Sequence, residues 1–131
     1  DTPAHGEFIL INSSPNDWRN PQNPNLWQGV NGTNNPCPSG YRLPTRAEFI
    51  DELSTWNSSG SSGAFSSPLK LPLSGRRGQS AGSISVVGLT SRYWTGSING
   101  GESFALNITQ ANADLGGYVR GNGLPVRCIK N

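Results

Sequence analysis

The chain has 131 residues, of which 33% are hydrophobic and 14% charged, and its net charge is +2. The place of the missing charge is taken by 17 Gly, 10 Pro, 17 Ser and 14 Asn, a composition that excludes a coiled coil, a helical bundle and a charged disordered tail. No apolar run approaches the ~20 residues of a membrane span, no basic cluster exceeds Arg76-Arg77, so a nucleic-acid partner is not expected, and a single His5 leaves no His-based triad or zinc site to build.

In chain order, Phe8-Ile9-Leu10-Ile11 reads as a short buried strand. Pro15 to Pro38 holds five Pro and seven Asn, so neither a long helix nor a central strand fits. The same stretch carries Trp18, Leu26, Trp27 and Val30, which argue for a packed, ordered loop. Thr45-Arg46-Ala47-Glu48 is a capping box, and Phe49, Leu53 and Trp56 follow at helical spacing. Ser58 to Ser67 reads as a flexible end to that helix. Leu69 to Leu73 alternates weakly and suits a sheet edge, and Arg76 to Ser85 reads as loop. Ser91 to Ser97 and Glu102 to Thr109 read as strands joined at the turn signal Asn99-Gly100-Gly101. Leu124 to Lys130 reads as a final strand. The expected class is α+β, with one or two helices, short antiparallel sheets and long ordered loops.

Cys37 and Cys128 have no metal-ligating spacing. In a low-charge, Ser/Asn/Gly-rich chain that suits export they are expected to form one disulfide. The chain lacks methionine even at position 1 and reads as a single domain, 1–131, excised from a larger extracellular protein. Four Asn-x-Ser/Thr matches occur in this Asn/Ser-rich chain, at Asn12, Asn31, Asn57 and Asn107.

Functional candidates lie in the C-terminal half. Calcium takes six to eight oxygens from carboxylates, amides and carbonyls. "SINGGES" and "QANADLGG" supply Asn99, Glu102, Gln110, Asn112 and Asp114 on two loops expected to be neighbours, with Glu102, Asn112 and Asp114 as the metal ligands. Tyr93 alternates with Trp94 and is expected to face the opposite way, toward ligand. Tyr118 and Arg120 lie between glycine pairs, next to Asn122, and complete the ligand-binding set. An Arg can hold a carboxylate at two points. The Asn-rich loop around Asp17 and Trp27 is the alternative location. No paired carboxylates, nucleophile elbow or phosphate loop stands out, so an enzyme is not expected.

The blocks "NPCPSGYRLPTRAEFIDEL", "LKLPLSGRR", "RYWTGS" and "LPVRCIK" together resemble the Fibrobacter major paralogous domain, a bacterial extracellular module, over roughly Asn35 to Lys130. "RLPTRAEF" and the terminal "VRC" are also similar to the formylglycine-generating-enzyme branch of the C-type-lectin-like folds. The close cysteine pair that this enzyme needs for copper is absent here. The Asn-rich block further resembles domains near the ends of large bacterial adhesins, some of them calcium-dependent peptide- or glycan-binding modules. The resemblance implies a C-type-lectin-like fold, the Cys37–Cys128 bridge, and calcium as cofactor. It also implies a monomeric, non-enzymatic, lectin-like role in cell adhesion at the bacterial surface, with a peptide or glycan on another cell as partner. The alternatives are a structural module without its own ligand, or an extracellular glycoside hydrolase.

Overall fold

The computed structural model describes residues 4–131. The elements in order are β1 (Tyr41–Arg42), α1 (Arg46–Ser54), α2 (Gly60–Ser66), β2 (Arg76–Arg77), β3 (Ile84–Ser85), β4 (Thr90–Asn99), β5 (Glu102–Thr109), β6 (Ala113–Tyr118) and β7 (Ile129–Lys130). β4, β5 and β6 form a three-stranded antiparallel sheet, and β1–β7 and β2–β3 are separate antiparallel pairs. The class is α+β with one disulfide, Cys37–Cys128, whose Cα atoms are 5.7 Å apart.

Successive strand residues face opposite sides, and both faces of the central sheet are covered. Tyr93, Leu106 and Ile108 face Phe49 of α1, Ala64 of α2 and Leu71. Trp94 and Ala105 face Leu43, with Trp27, Cys37, Tyr118 and Leu124 packed around them. Tyr93 and Trp94 do point apart, as alternation requires. Tyr93 nevertheless lies in the first core, 4% exposed, and its hydroxyl donates to the Pro72 carbonyl at 2.7 Å. It is a core residue and not a ligand contact, because the helical layer covers the face it occupies.

The capping box forms as expected: Glu48 N–H donates to Thr45 Oγ1 at 3.2 Å, and Thr45 N–H donates back to Glu48 Oε2 at 2.8 Å. Arg42 of β1 adds a two-point contact to the same carboxylate at 2.7 and 2.8 Å. The Arg42 guanidinium, aided by Thr45, holds the Glu48 carboxyl down from 4.5 to about 2, against a smaller opposing effect of burial. The unfolded chain takes up this proton near pH 4.5, whereas the folded chain keeps Glu48 ionised down to about pH 2. The contact's stabilisation is therefore complete above that range and is lost as pH falls through it. Glu48→Gln is expected to flatten this part of the acid-unfolding curve. An unchanged slope would place the acid sensitivity elsewhere.

Several expected elements are corrected. Residues 8–11 form no strand: Leu10 is 53% exposed, Phe8 lies under the Arg77 guanidinium, and Ile11 N–H donates to Gln79 O. A four-residue apolar run cannot reveal that its neighbour is a loop rather than a sheet edge. Residues 58–67 are not a flexible end but contain α2. Its glycines permit close packing: a Cβ at Gly63 would meet Ser58 O at 1.9 Å, and one at Gly60, where φ is +65°, would meet Gln110 O at 2.4 Å. Residues 69–73 carry no strand, and Leu71 from that stretch fills the core. Arg76–Arg77 and Ile84–Ser85 pair as a short hairpin where a loop was expected. The last strand is only two residues long.

Candidate functional site

The site begins with an irregularity in β4. Trp94 pairs with Ala105 and Ile98 with Ser103, so the residues between bulge out of the ladder. The bulge finds other partners. Gly96 N–H donates to Pro44 O, and Ser97 Oγ accepts from Arg46 N–H at the start of α1. Thr95 Oγ1 donates to Phe104 O. The Pro15–Pro38 loop crosses this bulge. Gln28 Nε2 donates to Gly96 O at 2.7 Å, and Trp27, with φ of +61°, is held by its N–H donating to Thr33 O. A large residue in that backbone region is strained, and Trp27 packs there against the cluster of Leu43, Trp94 and Ala105. Trp18 meets it edge to face, with ring centroids 5.6 Å apart.

Between loop and bulge lies a cleft of about 430 Å³, within the usual range for small-ligand sites. Trp18, Trp27, Trp94, Leu26, Ile9 and Ile98 give it apolar walls. Asn20, Asn23, Asn34, Thr95 and Ser103 add neutral polar groups. A smaller cavity of about 230 Å³ shares the three indoles and reaches Phe8 and Asn122.

An ion pair holds one end of the cleft. Arg120 Nη1 lies 3.5 Å from Asp17 Oδ2, and both residues are 9% exposed. Asp17 also accepts from Arg19 N–H and Gln22 Nε2, each at 3.0 Å. The other terminal nitrogen of Arg120, Nη2, donates to Gly100 O at 3.1 Å and Glu102 O at 3.2 Å. Gln22 Nε2 also reaches Gly101 O at 2.7 Å. The loop, the β4–β5 turn and the segment after β6 are thus locked together by one polar network. The loop's far end is fixed by Cys37.

The expected site residues divide. Arg120 lines the cleft, and Asn122 lines its smaller neighbour. Arg120 does not offer an open two-point contact for a carboxylate, because Asp17 and two carbonyls occupy its terminal nitrogens. Tyr118 packs into the second core, with the Arg92 guanidinium 4.3 Å from its ring centroid. Asn99 and Glu102 flank Gly117 at the β4–β5 turn: a Cβ there would meet Asn99 Nδ2 at 2.1 Å and Glu102 Oε2 at 2.4 Å. Asn112 sits in the opposite hairpin turn, with Gln110 close by, and Asp114 pairs with Asn107. Asn107 lies five positions along β5 from Glu102, about 17 Å of strand. Glu102 therefore cannot share one calcium ion with Asn112 and Asp114, since the loops expected to be neighbours lie at opposite ends of the sheet. No group of three or more His, Cys, Asp or Glu able to hold a metal occurs among the described residues.

Sequence reading placed the main site at the β-turns and kept the Asn-rich loop as the alternative. In the fold Arg120 joins that loop by meeting Asp17, while Asn112 and Asp114 stay at the other end of the sheet. Trp94, expected in the core, is buried and also lines both cavities. Thr95, Ile98 and Ser103 were missed, since nothing local signals a bulge. No protein-family model, curated protein or solved structure matches the chain.

Proposed function

We propose that this chain is a non-enzymatic ligand-binding module of an exported bacterial surface protein, holding part of a glycan or a short peptide in the Trp-lined cleft. The observation that carries the reading is the cleft itself. Its three indoles lie beside neutral amides and hydroxyls, and the loop above is fixed by a disulfide, a buried ion pair and a strained Trp27. Exposed aromatic surface on a rigid frame is what a binding site needs, and strain of this kind clusters at such sites. Trp18, which lines the cleft, is 47% exposed. The adhesin context rests on the sequence resemblance, and the C-type-lectin-like fold on that resemblance together with the meeting of β1 with β7 near the disulfide.

Glycan and peptide arrays test the reading. The native domain is expected to bind a defined subset of spots. Trp18→Ala is expected to keep its melting temperature and to lose about 30-fold or more in affinity, the scale of an aromatic anchor. Full binding by Trp18→Ala would place the site elsewhere. Arrays run with calcium and with a chelator test the calcium dependence that the resemblance implies.

A further inference from the structure

We propose that the outer edge of β6 pairs with the same edge of a second copy of this chain, antiparallel about a two-fold axis at Leu115. The two central sheets then run on as one, in place of the monomer that the sequence resemblance implies.

The phase of the hydrogen bonds leaves this edge open. Residues directly opposite in an antiparallel pair alternate between exchanging both backbone bonds and exchanging neither. Thr109 N–H donates to Asn112 O at 2.8 Å, next to the turn. Counting on from there, Asn107–Asp114, Ala105–Gly116 and Ser103–Tyr118 are the bonded pairs. Ala113, Leu115 and Gly117 therefore turn their N–H and C=O groups away from β5. The same count points the Thr90 carbonyl and the Trp94 N–H outward from β4, where they meet Gly75 N–H and Pro125 O. That margin of the sheet is covered by loop backbone. On the β6 margin, the backbone groups of Ala113, Leu115 and Gly117 have no partner among the described residues beyond the sheet. β6 also carries no Pro, no Lys and no bulge, the devices that usually keep an open edge from pairing.

The side chains on this edge select a second copy as the occupant. Asp114, Gly116 and Tyr118 share one face of the sheet with Arg92. Tyr118 folds back, so that a Cβ at Gly116 would lie 3.1 Å from its hydroxyl. The Arg92 guanidinium sits 4.3 Å from the Tyr118 ring centroid and spends Nε on Asn107 Oδ1 at 3.3 Å. Its terminal nitrogens, the Tyr118 hydroxyl and the Asp114 carboxylate have no hydrogen-bond or ion-pair partner among the described residues. With the axis at Leu115, Ala113 stands opposite Gly117 and Asp114 opposite Gly116. The Asp114 carboxylate then comes against the Tyr118 hydroxyl and the Arg92 guanidinium of the second copy, and the symmetry makes this contact twice. An axis at Asp114 would oppose two like charges. An axis at Gly116 would set Asp114 opposite Tyr118, whose ring has turned away, and would part the leucines. On the helical face Ala113 and Leu115 are only partly buried, and a Leu115–Leu115 pair covers more of them. No residue of β6 lines the cleft or its smaller neighbour, so the pairing leaves both open.

Sedimentation equilibrium of the whole domain up to about 1 mM tests the pairing, together with amide exchange at low and high concentration. The mass is expected to rise toward two chains. The amides of Ala113, Leu115 and Gly117 are expected to slow in step, while the amides of Gly116 and Tyr118, already bonded to β5, change little. Asp114→Lys and Arg92→Glu each oppose like charges across the axis and are expected to weaken association about tenfold or more at an unchanged melting temperature. Mixing the two variants restores an opposite pair at both contacts and is expected to restore association. Should Arg92→Glu fail to fold, the native amide pattern and Asp114→Lys decide. A native chain that stays monomeric over the whole range would overturn the proposal. So would a dimer that leaves those amides unprotected or ignores Asp114→Lys, and so would an unrelated extended peptide that protects them while the chain alone does not associate.

Discussion

Replacing Cys37 by Ser is expected to destabilise the domain by about 4–5 kcal/mol, the chain-entropy value for so long a closed loop. A domain of this size has a total stability of roughly 5–15 kcal/mol, so the variant should melt at least 10 °C or so lower. The bridge spans 91 residues and enters the cleft's account directly, since Cys37 ends the loop that carries Trp18 and Trp27. Loss of the bond removes the anchor of that loop, so binding should weaken even where the variant remains folded. Thermal melts of native, reduced and Cys37→Ser protein check this, together with a non-reducing mass two hydrogens below the reduced one. An unchanged melting midpoint on reduction would contradict it.

The second large effect is expected at Asp17. Asp17→Ala leaves Arg120 buried without its counter-charge, a situation that costs about 3–5 kcal/mol. The same change removes the acceptor for Arg19 N–H and Gln22 Nε2. Adding Arg120→Met to Asp17→Ala should restore part of the loss, because the uncompensated charge goes with it. Denaturant midpoints at constant slope measure both. A loss under about 1 kcal/mol for Asp17→Ala would show that the pair does not hold the loop to the sheet.

What was legible in the sequence was what local chemistry specifies. Thr45 and Glu48 announce α1 because both halves of the capping box lie within four residues. Asn99-Gly100-Gly101 announces the β4–β5 hairpin because Gly100 supplies a φ of +58°, and β5 has the predicted bounds. α2 was hidden because Gly60 and Gly63, which argue for flexibility in isolation, are needed for close packing. The site was hidden for a related reason. The bulge after Trp94 is stabilised by Pro44, Arg46 and Gln28, all remote in sequence. Arg120 was singled out from its glycine neighbours, but its partner Asp17 lies more than a hundred positions away. The expected calcium ligands do not come together, because an antiparallel β5 sends the two loops rich in oxygen donors to opposite ends.

The four tryptophans offer the most direct test of the central claim. Trp18, Trp27 and Trp94 line the cleft, while Trp56 packs on the helical side of the sheet and donates its indole N–H to Glu52. In a two-dimensional ¹⁵N NMR titration with the glycan or peptide that scores highest on the arrays, the indole signals of Trp18, Trp27 and Trp94 are expected to move together. The Trp56 signal is expected to stay in place. A saturable titration that shifts Trp56 and leaves the other three unmoved would contradict the assignment of the cleft as the binding site.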